Sequence, residues 1–362
     1  MTAASTTPCP VLPGGRMVLR DLLDRPGTRA VLLAGSSDPN AKVTVVLLDT
    51  YGPALVVKMP TTDAAGMAVR SETRALRWLA ARSLGTLATT VARPVGPVWH
   101  DGRKGLVSTA LPGTLMSVGY HGWHHTARRR HVRHDFAAAG AWLAELQTRT
   151  SGPRQRVTLV SDAAVRIGRR FADHPARVAA QRTLAGPARR LGDHLTPRAV
   201  VHGDFWFGNI LTDAHRVVGV VDWESFAPAG EPLRDVARFA VSYALYLDRH
   251  TRPGHRVRGH RRLRAGSWDA GLTHLLGGHG WFPAIAQNYL TLAMGRLGLP
   301  PHLWRDVVLG GIADVAATAD HPAFAERHLE LLARLAPPKP AVARVTAQRP
   351  ARARLHGTGP VV

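Results

Sequence analysis

The run VVHGDFWFGNILTDAHRVVGVVDWESF, Val200 to Phe226, constrains this chain more than any other stretch. Two apolar runs end at Val201 and Val221, and each is followed within three residues by an aspartate, Asp204 and Asp222. Asn209 lies between them, five residues after Asp204. Apolar runs of this length read as buried strands. A tight connection between two such strands brings two carboxylates and an amide to one edge.

Phosphoryl transfer from a nucleotide asks for this set: a carboxylate to orient the incoming hydroxyl, oxygen donors for magnesium, and a cation for the phosphates. The protein-kinase pattern H-x-D-x-x-x-x-N, followed by an aspartate at a strand end, uses the same residue types at the same interval. His202, Asp204 and Asn209 fill it, and Asp222 in "DWE" stands where the magnesium-binding aspartate falls. Hard oxygen donors suit Mg²⁺. Glu224, two residues on, reads as a hydrogen-bonded or exposed loop residue. The cation is Lys58, at the end of "ALVVKM" and one of only four lysines among 47 basic residues. Its compact charge on a flexible stem reaches phosphates differently from an arginine fork. Glu72, in the segment that follows, is placed to hold it.

The elements around these residues fall into two kinds. "TRAVLLA", "KVTVVLLD" and "ALVVKMP" are β-branched runs separated by turns, and "VARPVGPVW" and "KGLVSTAL" add two more. Between the two groups, Asp63 to Arg82 carries apolar residues at spacings of three and four, an amphipathic helix opened by Asp63 as its cap. Beyond Pro112 the chain turns helical, with six helical segments between His134 and Leu335.

The sequence resembles the aminoglycoside phosphotransferase and choline kinase superfamily, whose fold is similar to that of eukaryotic protein kinases; "HGDFWFGNIL" and "VVDWE" carry the resemblance. It implies an α+β, bilobal protein-kinase-like fold. A small N-terminal antiparallel sheet lobe with one helix would stand beside a larger, mainly helical C-terminal lobe. Residues 1–27 are expected to be a flexible extension, 28–111 the nucleotide-binding lobe, 112–336 the catalytic and substrate lobe, and 337–362 a disordered tail. The resemblance also implies ATP and Mg²⁺ as cofactors, with Asp204 as catalytic base, His202 shaping its loop, and Asn209 and Asp222 as metal ligands. Lys58 would contact the phosphates with Glu72 as its partner. Ser36 falls in the nucleotide-positioning turn "AGSSDPNAKV", which lacks G-x-G-x-x-G, and Thr109, Ala110 and Leu111 form the adenine-contacting hinge. Asp235 matches an aspartate that braces the catalytic loop, and a carboxylate at a helix start is equally favoured by the helix dipole. Gly203, where a protein kinase has arginine, points to a small-molecule acceptor.

Composition sets limits on the rest. One cysteine, Cys9, excludes an intramolecular disulfide and a cysteine-built metal centre. The histidines of "YHGWHHTARRRHVRH" lack a tetrahedral donor set and read as a solvated, charge-rich loop. The N-terminus has neither a basic nor an apolar leader segment, and no apolar run approaches membrane-spanning length, so a cytoplasmic protein without a membrane partner is expected. The net charge of +22 suggests a rival, a catalytically inactive kinase-fold protein with a basic nucleic-acid-binding surface. Against that, the densest basic run, Arg249 to Arg264, contains no aromatic residue for base stacking and reads as a solvated loop. The expected partner is a small hydroxyl acceptor (antibiotic, sugar or amino alcohol), with no obligate protein partner. The basic balance favours a neutral or anionic acceptor unless Glu231, Asp248, Asp269 and Asp306 converge on its pocket.

Overall fold

The computed structural model describes residues 17–33 and 41–336. Ser36 and the tail from residue 337 lie outside the described residues.

The first part is a twisted antiparallel sheet. Helix α1 (Leu19–Leu23) precedes β1 (Arg29–Leu33), β2 (Lys42–Asp49) and β3 (Gly52–Pro60); then come α2 (Asp63–Ala80), β4 (Pro94–His100) and β5 (Arg103–Thr109). The strand order is β1-β2-β3-β5-β4. One face of the sheet buries Val45, Leu47, Val57, Met59, Val98 and Val107 against Leu19 and Leu22. Residues 17–27 therefore differ from the expected flexible extension: two leucines three apart on a short helix fill the sheet's open face. The cap of α2 is also corrected, since the Thr62 side chain, not Asp63, accepts from the Ala65 N–H at 3.1 Å. Val69, Ala75, Leu76 and Leu79 of α2 pack into the larger core, so this helix touches both parts of the molecule.

From β5 the chain runs through Ala110 to Gly113 into β6 (Thr114–Leu115), α3 (Met116–Tyr120), α4 (Arg129–Arg149) and β7 (Arg154–Arg156). Two helices follow, α5 (Leu159–Arg170) and α6 (Arg177–Gly192), and then five short strands: β8 (Leu195–Pro197), β9 (Ala199–Val201), β10 (Ile210–Asp213), β11 (Arg216–Val220) and β12 (Ala227–Gly230). The chain closes with α7 (Leu233–Leu245), α8 (Ala270–Gly277), α9 (Trp281–Leu297), α10 (Trp304–Thr318) and α11 (Pro322–Arg334). Helix α10 is the centre of this bilobal molecule's larger half, packed by α5, α6, α7 and α11.

Two stretches expected to be solvated loops are partly interior. In the basic run after Arg249, Val257, His260 and Leu263 are buried, and the His260 ring stacks on Trp281 at 4.7 Å. In the histidine-rich run, His125 and the Tyr243 hydroxyl share the buried Asp135 carboxylate at 2.7 and 2.6 Å. Charge-rich sequence conceals these anchors because each is a single buried side chain among exposed neighbours. Among the described residues no helix is long and apolar enough to cross a membrane.

Candidate active site

The site is built on two adjoining strand ends. Strand β9 is buried along its length and delivers the loop 202–209. The β10–β11 hairpin pairs Ile210 with Val220, which sets Asn209 beside Val221 and one residue from Asp222. The Val221 N–H donates to the Asn209 carbonyl at 3.0 Å.

His202 is fully buried and serves as an internal strut. Its Nε2 lies 2.8 Å from the Val221 carbonyl, and its Nδ1 accepts from the Asp204 N–H at 3.2 Å. Both bonds are satisfied by the tautomer with its proton on Nε2. Asp235, in the first turn of α7, accepts from the N–H groups of His202 and Gly203 at 2.7 and 2.8 Å. This carboxylate therefore holds the loop and is more than a dipole-favoured surface residue. Gly203 adopts φ +86°, and a Cβ there would lie 2.2 Å from the Ser225 carbonyl. Arginine, the residue at this point in protein kinases, is sterically excluded.

Asp204 is the partly exposed end of the loop. Its Oδ1 accepts from Arg238 Nε at 2.9 Å and pairs with Arg238 Nη2 at 2.7 Å. The Asn209 side-chain nitrogen donates to the Asp204 carbonyl and Oδ2 at 3.0 and 3.2 Å. With that nitrogen committed, the Asn209 amide oxygen is the atom left for an outside partner.

On the facing wall, Lys58 of β3 donates to both Glu72 oxygens of α2 at 2.6 and 2.8 Å and also bonds Asp222 Oδ1. Burial works to discharge the Lys58 ammonium, but Asp222 and Glu72 outweigh it and hold the group above its usual range. Burial likewise opposes the Asp222 carboxylate, and Lys58 and Lys42 overcome it, holding the carboxyl below its usual range. Asp222 stands in the left-handed region, φ 63° and ψ 60°, a conformation rare outside glycine, asparagine and aspartate. The backbone strain sits where the side chain is turned toward Lys58. A carboxylate and an amide oxygen on adjacent backbone form a donor set that fits a hard divalent cation.

The residues expected to form the hinge continue from β5 toward β6. Thr109 ends β5 opposite Leu55, the Ala110 N–H donates to the Ala54 carbonyl at 2.9 Å, and Leu111 packs over Gly219.

Three participants escaped sequence reasoning. Arg238 lies three residues after Asp235, on the helix face that meets the loop, and that spacing is the signal that was available. Lys42 at the start of β2 bonds Glu224 across the cleft, so Glu224 belongs to the cleft and is not an ordinary loop residue. The scarcity of lysine was the one available hint. Finally, a cavity of about 500 Å³ opens beside Asp204, walled by Glu224, Arg234, Arg238, Asp314 and Arg327. Asp314 comes from α10, far from the motif in sequence, and no local pattern announces it.

The family model described as "Phosphotransferase enzyme family" matches residues 37–270. Among solved structures, a thermostable mutant of aminoglycoside phosphotransferase APH(4)-Ia in ternary complex with AMP-PNP and hygromycin B gives a TM-score of 0.51 at 13% identity, covering 84% of this chain and 93% of that one. A second thermostable mutant of that enzyme, in ternary complex with ADP and hygromycin B, gives 0.51 at 13% identity with 85% and 94% covered. At this identity the likeness establishes the fold. No curated protein matches the sequence.

Proposed function

The chain belongs to the phosphotransferase enzyme family, and from that premise we propose that it is an ATP- and Mg²⁺-dependent kinase that passes the γ-phosphoryl group to a hydroxyl of a small acceptor. The observation that carries this reading is the buried Lys58–Glu72 pair bonded to the half-buried Asp222, whose strand end adjoins Asn209 and through it the Asp204 carboxylate. In it, Lys58 takes the phosphates while Glu72 fixes its stem. Asp222 and the Asn209 amide oxygen would hold the magnesium, which when bound would neutralise phosphate charge. Residues 28–111 form the nucleotide lobe, with the Thr109–Leu111 backbone against adenine, and residues 112–336 the acceptor lobe.

Asp204 orients the acceptor hydroxyl and takes its proton as the oxygen attacks the γ-phosphorus. The bond from that phosphorus to the β-phosphate oxygen breaks, and ADP leaves. Arg238, clamped on Asp204 Oδ1, aims the carboxylate, and Oδ2, which accepts one bond from Asn209 at 3.2 Å, uses its second lone pair for the acceptor hydroxyl. No covalent phosphoenzyme is needed. The rival reading, an inactive binder of nucleic acid, gives the buried lysine and its two carboxylates no use.

The test is phosphate transfer from ATP with Mg²⁺ to a mixed pool of aminoglycosides, macrolides, sugars and amino alcohols, read by mass spectrometry. The wild type is expected to yield a phosphorylated product, and Asp204→Ala to lower its rate by roughly 10²- to 10⁴-fold. A variant as active as wild type removes Asp204 from the chemistry. A wild type that neither transfers phosphate nor binds ATP removes the kinase reading.

A further inference from the structure

The cavity beside Asp204 has an uneven stock of hydrogen-bonding groups. Its carboxylates are already engaged. Asp204 gives Oδ1 to Arg238 and Oδ2 to Asn209. Asp314 gives Oδ1 to Arg166 at 2.7 Å and Oδ2 to Arg234 at 2.8 Å. Glu224 is bonded to Lys42, and Asp320 also has a partner.

The arginines of the same wall are less committed. Arg234 spends its Nε on Asp314, and its two Nη groups have no partner among the described residues. Arg238 spends Nε and Nη2 on Asp204 and keeps Nη1. The exposed Arg327 guanidinium has no ion pair or hydrogen bond among the described residues. The acidic residues whose convergence would have reversed this balance lie elsewhere. Glu231 is held by Arg198, Asp269 by Arg334 and Asp306 by Arg190, and neither these three nor Asp248 lines the cavity.

A wall with spare guanidinium donors and occupied carboxylates recognises a ligand rich in anionic oxygen, because forked N–H donors match carboxylate and phosphate geometry. A polycation would have to displace an arginine from each carboxylate it approached. We infer that the acceptor is a small hydroxylated anion, a polyol or sugar bearing a carboxylate or a phosphate. Its anionic group rests on Arg327 and Arg234 and its hydroxyl on Asp204. This rests on the kinase reading above and names its substrate class.

The experiment is calorimetric titration of the full chain, with ADP and Mg²⁺ filling the nucleotide cleft, against glucose 6-phosphate, glucuronate, glucose and the polycation hygromycin B. The same series is run on Arg327→Gln, an exposed helix position whose folding is checked by circular dichroism. At least one anionic probe is expected to bind about ten-fold or more tighter than glucose, and which one does so separates phosphate from carboxylate. That advantage should shrink by about five-fold or more in Arg327→Gln and at high salt. Absence of an anionic advantage, preference for hygromycin B, or full retention in the variant overturns the inference. ADP release from ATP, measured in parallel, separates the two readings. Anion binding without turnover counts against the kinase alone, and turnover confined to neutral or cationic acceptors counts against the anionic acceptor alone.

Discussion

At the scale of single residues, this protein places ionisable groups where burial and neighbours decide their charge. His328 on α11 shows the clearest consequence. Its ring is wedged against Trp268 and Phe324, with Nδ1 on the Phe324 carbonyl and Nε2 buried without a partner. Burial pushes the imidazole down to about 3. The native ring stays neutral where the unfolded one, near 6.5, takes up a proton. Stability from this group is therefore present above about pH 6.5 and lost as pH falls toward 3, with a slope of up to about 1.4 kcal/mol per pH unit. His328→Asn should flatten the dependence of the urea midpoint between pH 6.5 and 4; an unchanged slope would assign the effect to other histidines such as His260. The candidate site residues His202, Asp204, Asn209 and Asp222 were legible because one short hairpin fixes their separations. Arg238 and Lys42 were not, since the pairs they make join separate elements.

At the scale of elements, periodicity located the strands of the sheet and most long helices but failed where packing overrides local preference. Helix α6 continues through Pro187, which has no backbone N–H to give to the helix interior. Ala180, Leu184, Pro187 and Leu191 are nevertheless buried on one face, and that burial offsets the lost backbone bond. Glycine shows the same contrast between local and tertiary demands. A Cβ at Gly271 of α8 would lie 1.9 Å from the Ala244 carbonyl of α7, whereas one at Gly295 of α9 meets nothing within 4 Å. Gly271→Ala should force α8 off α7 and cost roughly 1–3 kcal/mol in urea unfolding. Gly295→Ala should stabilise by about 0.5–1 kcal/mol through helix propensity alone. Equal effects at the two sites would mean that close helix approach is not what keeps Gly271. At the start of α2, Thr62→Ala should cost about 1 kcal/mol by removing the cap on the Ala65 N–H.

At the scale of the whole molecule, the cleft is bridged by two ion pairs, Lys42 with Glu224 and Lys58 with Asp222. On the proposed kinase reading, a magnesium–nucleotide complex would take over the contact between Lys58 and Asp222 and leave Lys42 on Glu224, so its binding free energy would add to the stability of the folded chain. ADP with Mg²⁺ should raise the melting temperature, by an amount equivalent to about 2.7 kcal/mol at a hundred-fold excess over Kd. The rise should vanish with chelator and in Asp222→Ala. A shift that survives both would move the nucleotide away from this cleft. The net charge of +22 is a property of the whole surface, and it named no partner; only the pairing of individual arginines with Asp204 and Asp314 showed which cations the cavity keeps. What the sequence determined by itself was the five strands of the sheet, most of the long helices, and the identity and spacing of Asp204, Asn209 and Asp222, because these depend on residues within a few turns of one another. What only the tertiary structure decided was which distant side chains complete the site. Lys42 and Glu224 stand 182 positions apart, and Arg166 and Arg234 reach Asp314 from two other helices. Electrostatic pairing depends on separation in space, and once the chain has folded back on itself, that separation leaves no periodic trace in the order of residues.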